Sequence, residues 1–240
     1  MIQHNFTRAT ALARSEMLQT HSYSVLVDLS GLDPQGNPLA DPERTFVTSS
    51  TVNFTSKGGE SHIDVIADEV LYASLDQTEI EAHYDGGKLH FTADEGAHEL
   101  TVVTLMRYSR TGEGLHRFID PADGKIYLYS QFELADARRM FACFDQPDLK
   151  ATWQLSVLGP DDWTVVSNAS TPEPTPTTEG LARWDFPTSK PMSTYVMALV
   201  AGNYHVDHGT IVSGEQEIKA NILCRQSSKD YCDADRIRET

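Results

Sequence analysis

The hydrophobic positions first recur with helical spacing and then switch to alternation. Ala9, Leu12, Ala13 and Met17 fall three or four residues apart, opposite Arg8, Arg14 and Glu16, which predicts an amphipathic helix over 7–19. From Tyr23 the period becomes two, and strands are expected at 23–28 and 44–55. Between them, residues 33–42 hold three prolines and a glycine and read as a loop.

Short apolar-alternating runs continue at 63–66, 69–75, 79–84, 88–92 and 99–108, divided by turn residues at 85–87 and at Glu95-Gly96. Further runs stand at 126–129, 152–158, 163–166, 181–186 and 195–200. Pro172, Pro174 and Pro176 make 171–178 a surface loop rather than a central strand. The pattern predicts a mainly β body, an antiparallel β-sandwich of two packed sheets, with no repeat of fixed period. One stretch breaks it: residues 133–142 are helix formers without alternation and predict a helical insertion of one to three turns, ending before Pro147. From Ser227 a new helix is expected, with that serine as its N-cap, and the chain ends inside it, as a fragment would.

Composition changes this picture little. The 240 residues are 40% hydrophobic and 22% charged, enough for an ordinary core. The net charge of −16 argues against nucleic acid and anionic membrane as partners, because both would be repelled. No run reaches the roughly 18 apolar residues of a span, and no signal-like apolar segment opens the chain. Cys143, Cys224 and Cys232 are odd in number and form no Cys-x-x-Cys pair, so neither a disulfide framework nor a zinc knot is expected. A soluble, cytoplasmic protein is the simplest expectation.

The chain carries no Gly-x-Ser-x-Gly, no phosphate-binding glycine loop and no His-Glu-x-x-His. His98-Glu99 lies in an expected strand with Val102 where a second ligand would stand, and His205 and His208 sit near another strand end. No metal ligand and no catalytic residue is therefore assigned. Asp120-Pro-Ala-Asp-Gly124 reads as a tight turn between strands, and Cys143, among Phe141, Ala142 and Phe144, as a buried thiol. Polar and aromatic residues crowd together over 111–150. There Gln131 and Glu133 alternate outward from a strand end toward one cleft, while Arg138, Arg139, Asp145 and Asp148 fit an ion-pair network. The residues alone leave site and scaffold equally open.

That segment resembles the aminopeptidase N family of zinc exopeptidases. The resemblance rests on Gly112-Glu-Gly-Leu-His116, Arg117-Phe118, Asp120-Pro121, Asp123-Gly124 and Tyr127. It continues through Gln131-Phe-Glu133, Asp136-Ala-Arg-Arg139, Phe144-Asp-Gln-Pro-Asp148 and Lys150-Ala151, with flanks at 163–168 and 191–202. It implies a saddle-like β-rich N-terminal domain over 1–203, then the start of a truncated thermolysin-like domain over 204–240. It implies also that Gln131 lines the pocket for the first substrate side chain and that Glu133 holds the free N-terminal ammonium. Zinc would belong to the full-length parent, whose His-Glu-x-x-His and Gly-x-Met-Glu-Asn stretches are absent here, so this chain alone is expected to be inactive. The implied partners are peptides with a free N-terminus and the catalytic domain of the same polypeptide. The alternative is a free-standing β-sandwich binding or adaptor module.

Overall fold

The computed structural model describes residues 7–32, 37–39 and 41–240. The expected loop at 33–42 lies partly outside these, so only its remaining residues are seen.

The helix α1 (Arg8–Met17) is capped by Thr7, whose hydroxyl accepts from the Thr10 N–H at 3.1 Å. The expected apolar face does not seat it. Leu12 is exposed, and the buried residue is Arg14. Its guanidinium donates to Asp64 at 2.7 Å and to Gln146 at 3.1 Å, so a buried charge docks the helix, and of the expected apolar face only Met17 packs against the core.

The strands that follow are β1 (Leu18–Asp28), β2 (Thr45–Asp64), β3 (Glu69–Leu75), β4 (Thr78–Glu79), β5 (His83–Tyr84) and β6 (Lys88–Arg107). Next come β7 (Gly114–Ile119), β8 (Ile126–Gln131), β9 (Thr152–Pro160), β10 (Thr164–Ser167), β11 (Thr175–Pro176) and β12 (Leu181–Asp185). The last are β13 (Leu199–Gly202), β14 (Tyr204–Asp207), β15 (Thr210–Ser213), β16 (Gln216–Lys219) and β17 (Ile222–Arg225).

The larger sheet runs β11-β12-β9-β1-β2-β6-β3-β4, with β5 also on β6, and the smaller runs β10-β13-β8-β7. Pairing is antiparallel except between β1 and β9, which lie parallel from Ser22 opposite Thr152 to Asp28 opposite Leu158. One hydrophobic core joins both sheets: Tyr23, Val25, Phe54, Leu100 and Trp153 from the larger, Leu115, Leu128, Val165 and Leu199 from the smaller. The Tyr23 ring stacks on Trp153 at 4.1 Å, and its hydroxyl accepts from the Phe144 N–H at 2.9 Å.

Four expectations change. The runs at 44–55 and 63–66 are one strand, as are those at 88–92 and 99–108. The turn expected at Glu95-Gly96 is instead a positive-φ kink at Gly96 inside a continuous β2–β6 ladder, where Gly58 and Gly59 also take positive φ. The insertion at 133–142 shrinks to a 3-10 turn, α2 (Ala137–Arg139). The proline-rich 171–178 loop contributes the edge strand β11, at a position where proline is tolerated. At the C-terminal side a 3-10 turn, α3 (Gln226–Tyr231), precedes the helix α4 (Ala234–Glu239), which is capped by Asp233 and not Ser227. The Ser227 hydroxyl instead donates to Asp120 at 2.5 Å.

Candidate functional site

The site is built on the β7–β8 hairpin. Leu115 and Leu128 are buried and anchor it, while the opposite face presents His116 and Tyr129, whose rings lie 4.8 Å apart and tilted by 34°. Asp120-Pro-Ala-Asp-Gly124 is the hairpin turn, as its composition predicts. The Asp120 carbonyl accepts from Gly124 at 2.7 Å and its carboxylate from the Ala122 N–H at 2.9 Å. Hydrogen bonds from Ser227 first, then from Ala122, hold the Asp120 carboxyl below the usual carboxylate range. Arg225 adds an ion pair at 3.1 Å, so residues beyond 204 are fastened to this turn.

At the far end of the hairpin, Gly114 pairs with Gln131. Gly114 has φ +70, and a Cβ placed there would meet the Arg139 Cβ at 2.8 Å. Only glycine combines that backbone with so close an approach. Strand β8 then ends on alternating side chains: Gln131 exposed, Phe132 buried against Phe141, Glu133 exposed. Phe132 acts as the peg, so both polar heads point outward on either side of it. The Gln131 Oε1 accepts from the Glu133 N–H at 2.7 Å, which fixes the amide and bends the chain out of the strand. The Glu133–Leu134 peptide is cis, and Ala135 follows at φ +69. An L-residue in that region costs about 1–3 kcal/mol and persists only where its surroundings hold it.

Those surroundings are a buried polar network. Asp145 is 3% exposed and accepts from the Thr194 hydroxyl at 2.6 Å and the Arg138 N–H at 3.3 Å. Its own N–H donates to Asp64 at 2.9 Å, so Asp64 joins α1 and the Phe144–Asp148 loop through a single carboxylate. Burial pushes the Asp145 carboxyl above its ordinary range, against the opposing pull of Thr194. Arg139 pairs with Asp136 at 2.7 Å, and Asp148 accepts from Ser15 at 2.5 Å. Of the four residues expected to form a network, Arg138 and Asp145 share one bond, while Arg139 and Asp148 take other partners.

The histidines considered for metal are apart. His98 bonds Asp76 at 2.8 Å, His205 lies in β14, and His208 faces Asn221 at 3.3 Å. Among the described residues no group of three or more His, Cys, Asp or Glu could hold a metal ion, so the donor set does not fit zinc. Cys143 is fully buried, as its neighbours predict. Cys224 and Cys232 interact: burial first and then its hydrogen bond to Cys232 raise the Cys224 thiol above its ordinary range. No helix of the described residues is long and apolar enough to cross a membrane.

Sequence reasoning missed β7 and the Gly114–Arg139 approach. The signal was present in Gly112-Glu-Gly114, since repeated glycine marks a backbone that something must pass closely.

The chain is thus a two-sheet β body with Gln131 and Glu133 exposed at the end of β8. The family described as Peptidase M1 N-terminal domain matches residues 20–196. The chain belongs to that family. It is 40% identical over 240 residues to aminopeptidase N of Streptomyces lividans, covering 98% of this chain and 26% of that protein. Aminopeptidase N of Acetobacter pasteurianus is 31% identical over 206 residues, 83% of this chain and 56% of its own length. That of Canis lupus familiaris is 29% identical over 223 residues, 81% of this chain and 22% of its own. The chain therefore spans between about a quarter and just over half of the two bacterial relatives' lengths.

Proposed function

We propose that this chain is the substrate-recognition, N-terminal part of a cytoplasmic zinc aminopeptidase that removes residues from free peptide N-termini. Residues 1–203 form its β-rich domain, and 204–240 begin the catalytic domain that supplies zinc chemistry from elsewhere in the polypeptide. The observation that carries the reading is the exposed Gln131–Glu133 pair on a braced strand end, in a chain of this family. An exopeptidase must recognise one ammonium, and a fixed carboxylate does so by charge-assisted hydrogen bonds. Gln131 lines the pocket for the first side chain. Its amide is already oriented by Glu133, so it presents its NH2 end outward.

The test is Glu133→Ala in a polypeptide that includes the downstream catalytic region. Loss of a charged hydrogen bond worth about 1.5–3 kcal/mol lowers kcat/KM on free-amine substrates roughly 10- to 100-fold. Melting temperature and zinc content stay unchanged, and Gln131→Ala shifts side-chain preference with a smaller loss. A Glu133→Ala protein that is less stable yet within about twofold of wild type in kcat/KM would disprove the amine-anchor role.

A further inference from the structure

Beside the Gly114–Arg139 contact lies a cleft of about 470 Å³ whose walls are basic although the chain carries a net charge of −16. Arg44, Arg107, Arg110 and Arg139 line it, against two acids, Asp68 and Glu113. These arginines converge from four separate segments: the residue before β2, the end of β6, the β6–β7 connection and α2. Within the lining four guanidinium groups face two carboxylates, and three of the four are ion-paired, Arg107 with Asp68, Arg139 with Asp136 and Arg44 with Asp41. Arg107 is held by Asp68 through its Nε and Nη2, and Arg139 by Asp136 through its Nε, which orients both guanidinium planes. Arg44 is two-thirds exposed and only 3.6 Å from Asp41, and Arg110 makes no hydrogen bond or ion pair among the described residues. Glu113 lines the cleft too, and its carboxylate accepts from the Thr111 hydroxyl at 2.9 Å.

We propose that this cleft is a binding site for a multiply charged oxyanion. Oriented guanidinium groups match the oxygens of phosphate or carboxylate in pairs, with Arg107 and Arg139 as the fixed side and Arg44 and Arg110 as the closing side. The acidic surface around it repels anions at long range, so any anion bound is held by contact with these guanidinium groups. The volume admits a small anion such as pyrophosphate or the acidic side chains of a short peptide, and the same oxygens serve in either source. The proposal does not depend on the aminopeptidase reading, since none of these residues is assigned to amine recognition.

The experiment is calorimetric titration of the full 240-residue chain at low ionic strength with sodium pyrophosphate and, separately, with N-acetylated triglutamate. Saturable one-to-one binding is expected, weakened by added salt and by at least about fivefold in the Arg44→Gln/Arg110→Gln double variant. The control Arg8→Gln/Arg236→Gln, two exposed arginines outside the cleft, changes net charge equally and leaves affinity within about twofold. Pyrophosphate binding alone identifies free phosphate as the source, and triglutamate binding alone identifies peptide carboxylates. If neither probe saturates below about 10 mM, or both double variants lose affinity alike, the site is disproved.

Discussion

Arg14 donates to Asp64 across fifty residues of sequence at 2.7 Å, with both side chains almost wholly buried. Asp64 accepts at the same time from the Asp145 N–H, so one carboxylate ties α1 to the loop that supports the Gln131–Glu133 rim. Removing one partner leaves the other as a buried charge, which costs about 3–5 kcal/mol. Arg14→Met is expected to lose that amount in urea unfolding, while the exposed Arg8→Met stays within about 0.5 kcal/mol of wild type. A loss under about 1 kcal/mol for Arg14→Met would show that the pair is not what docks the helix.

His62 stands next to this pair, 3.7 Å from Asp64, and burial lowers its pKa from 6.5 to about 4 against the pull of Asp64. The sign follows from proton counting. Between about pH 6.5 and 4 the unfolded chain holds this proton and the folded chain does not, so stability falls on acidification through that window. The full effect is at most about 3 kcal/mol. The His62→Gln protein is expected to lose this slope, so that its stability relative to wild type improves steadily from pH 7 to about 4. Parallel stability curves for the two proteins over that range would refute the assignment.

Gly114→Ala places a methyl 2.8 Å from the Arg139 Cβ on a backbone at φ +70. The left-handed backbone alone costs about 1–2 kcal/mol, and displacing Arg139 adds to it. Destabilisation of about 2–4 kcal/mol is expected, against about 1–2 kcal/mol for Gly124→Ala, which has a similar backbone at φ +71 but open space. Equal losses at the two glycines would mean that the backbone, and not the close approach, sets the cost.

The three thiols should separate by accessibility. Cys143 is fully buried with its pKa pushed well up by burial, whereas Cys224 and Cys232 are partly exposed. A disulfide reagent such as dithionitrobenzoate is expected to titrate two thiols in the native protein and the third only on unfolding. Cys143→Ser should leave the native count unchanged. A drop in that count would place Cys143 at the surface.

Much of this fold was legible because alternation reports burial directly. The run at 69–75 is β3, and the runs at 152–158 and 181–186 sit inside or on β9 and β12. Glycine misled where it bends a strand without ending it, since Gly96 reads as a turn yet lies inside the β2–β6 ladder. Strand β7 was hidden by His116-Arg117, polar residues on a face that alternation expects to be mixed. The α1 docking was invisible for a different reason. A charge looks solvent-facing until its partner is known, and Asp64 is remote in sequence. The positions of Gln131 and Glu133 on one side of a strand end followed from period two, but their role came only from the resemblance. The arginine cleft was beyond reach because its four contributors are spread from residue 44 to residue 139.

The parallel pairing of β1 on β9 sets the order in which the larger sheet can be completed as the chain is made. Strand β1 finds β2 soon after both emerge, but its other edge waits for Thr152–Leu158. At roughly 5–20 residues per second of synthesis, that edge stays open on the order of 10 s. It carries Tyr23, Val25 and Val27 in strict alternation, with Asp28 as the strand's only acidic residue. An unpaired strand of that kind is a template for any other extended segment nearby. The nascent protein is therefore exposed to misassembly at the open edge of β1, and finishing β9 is the event that ends the hazard.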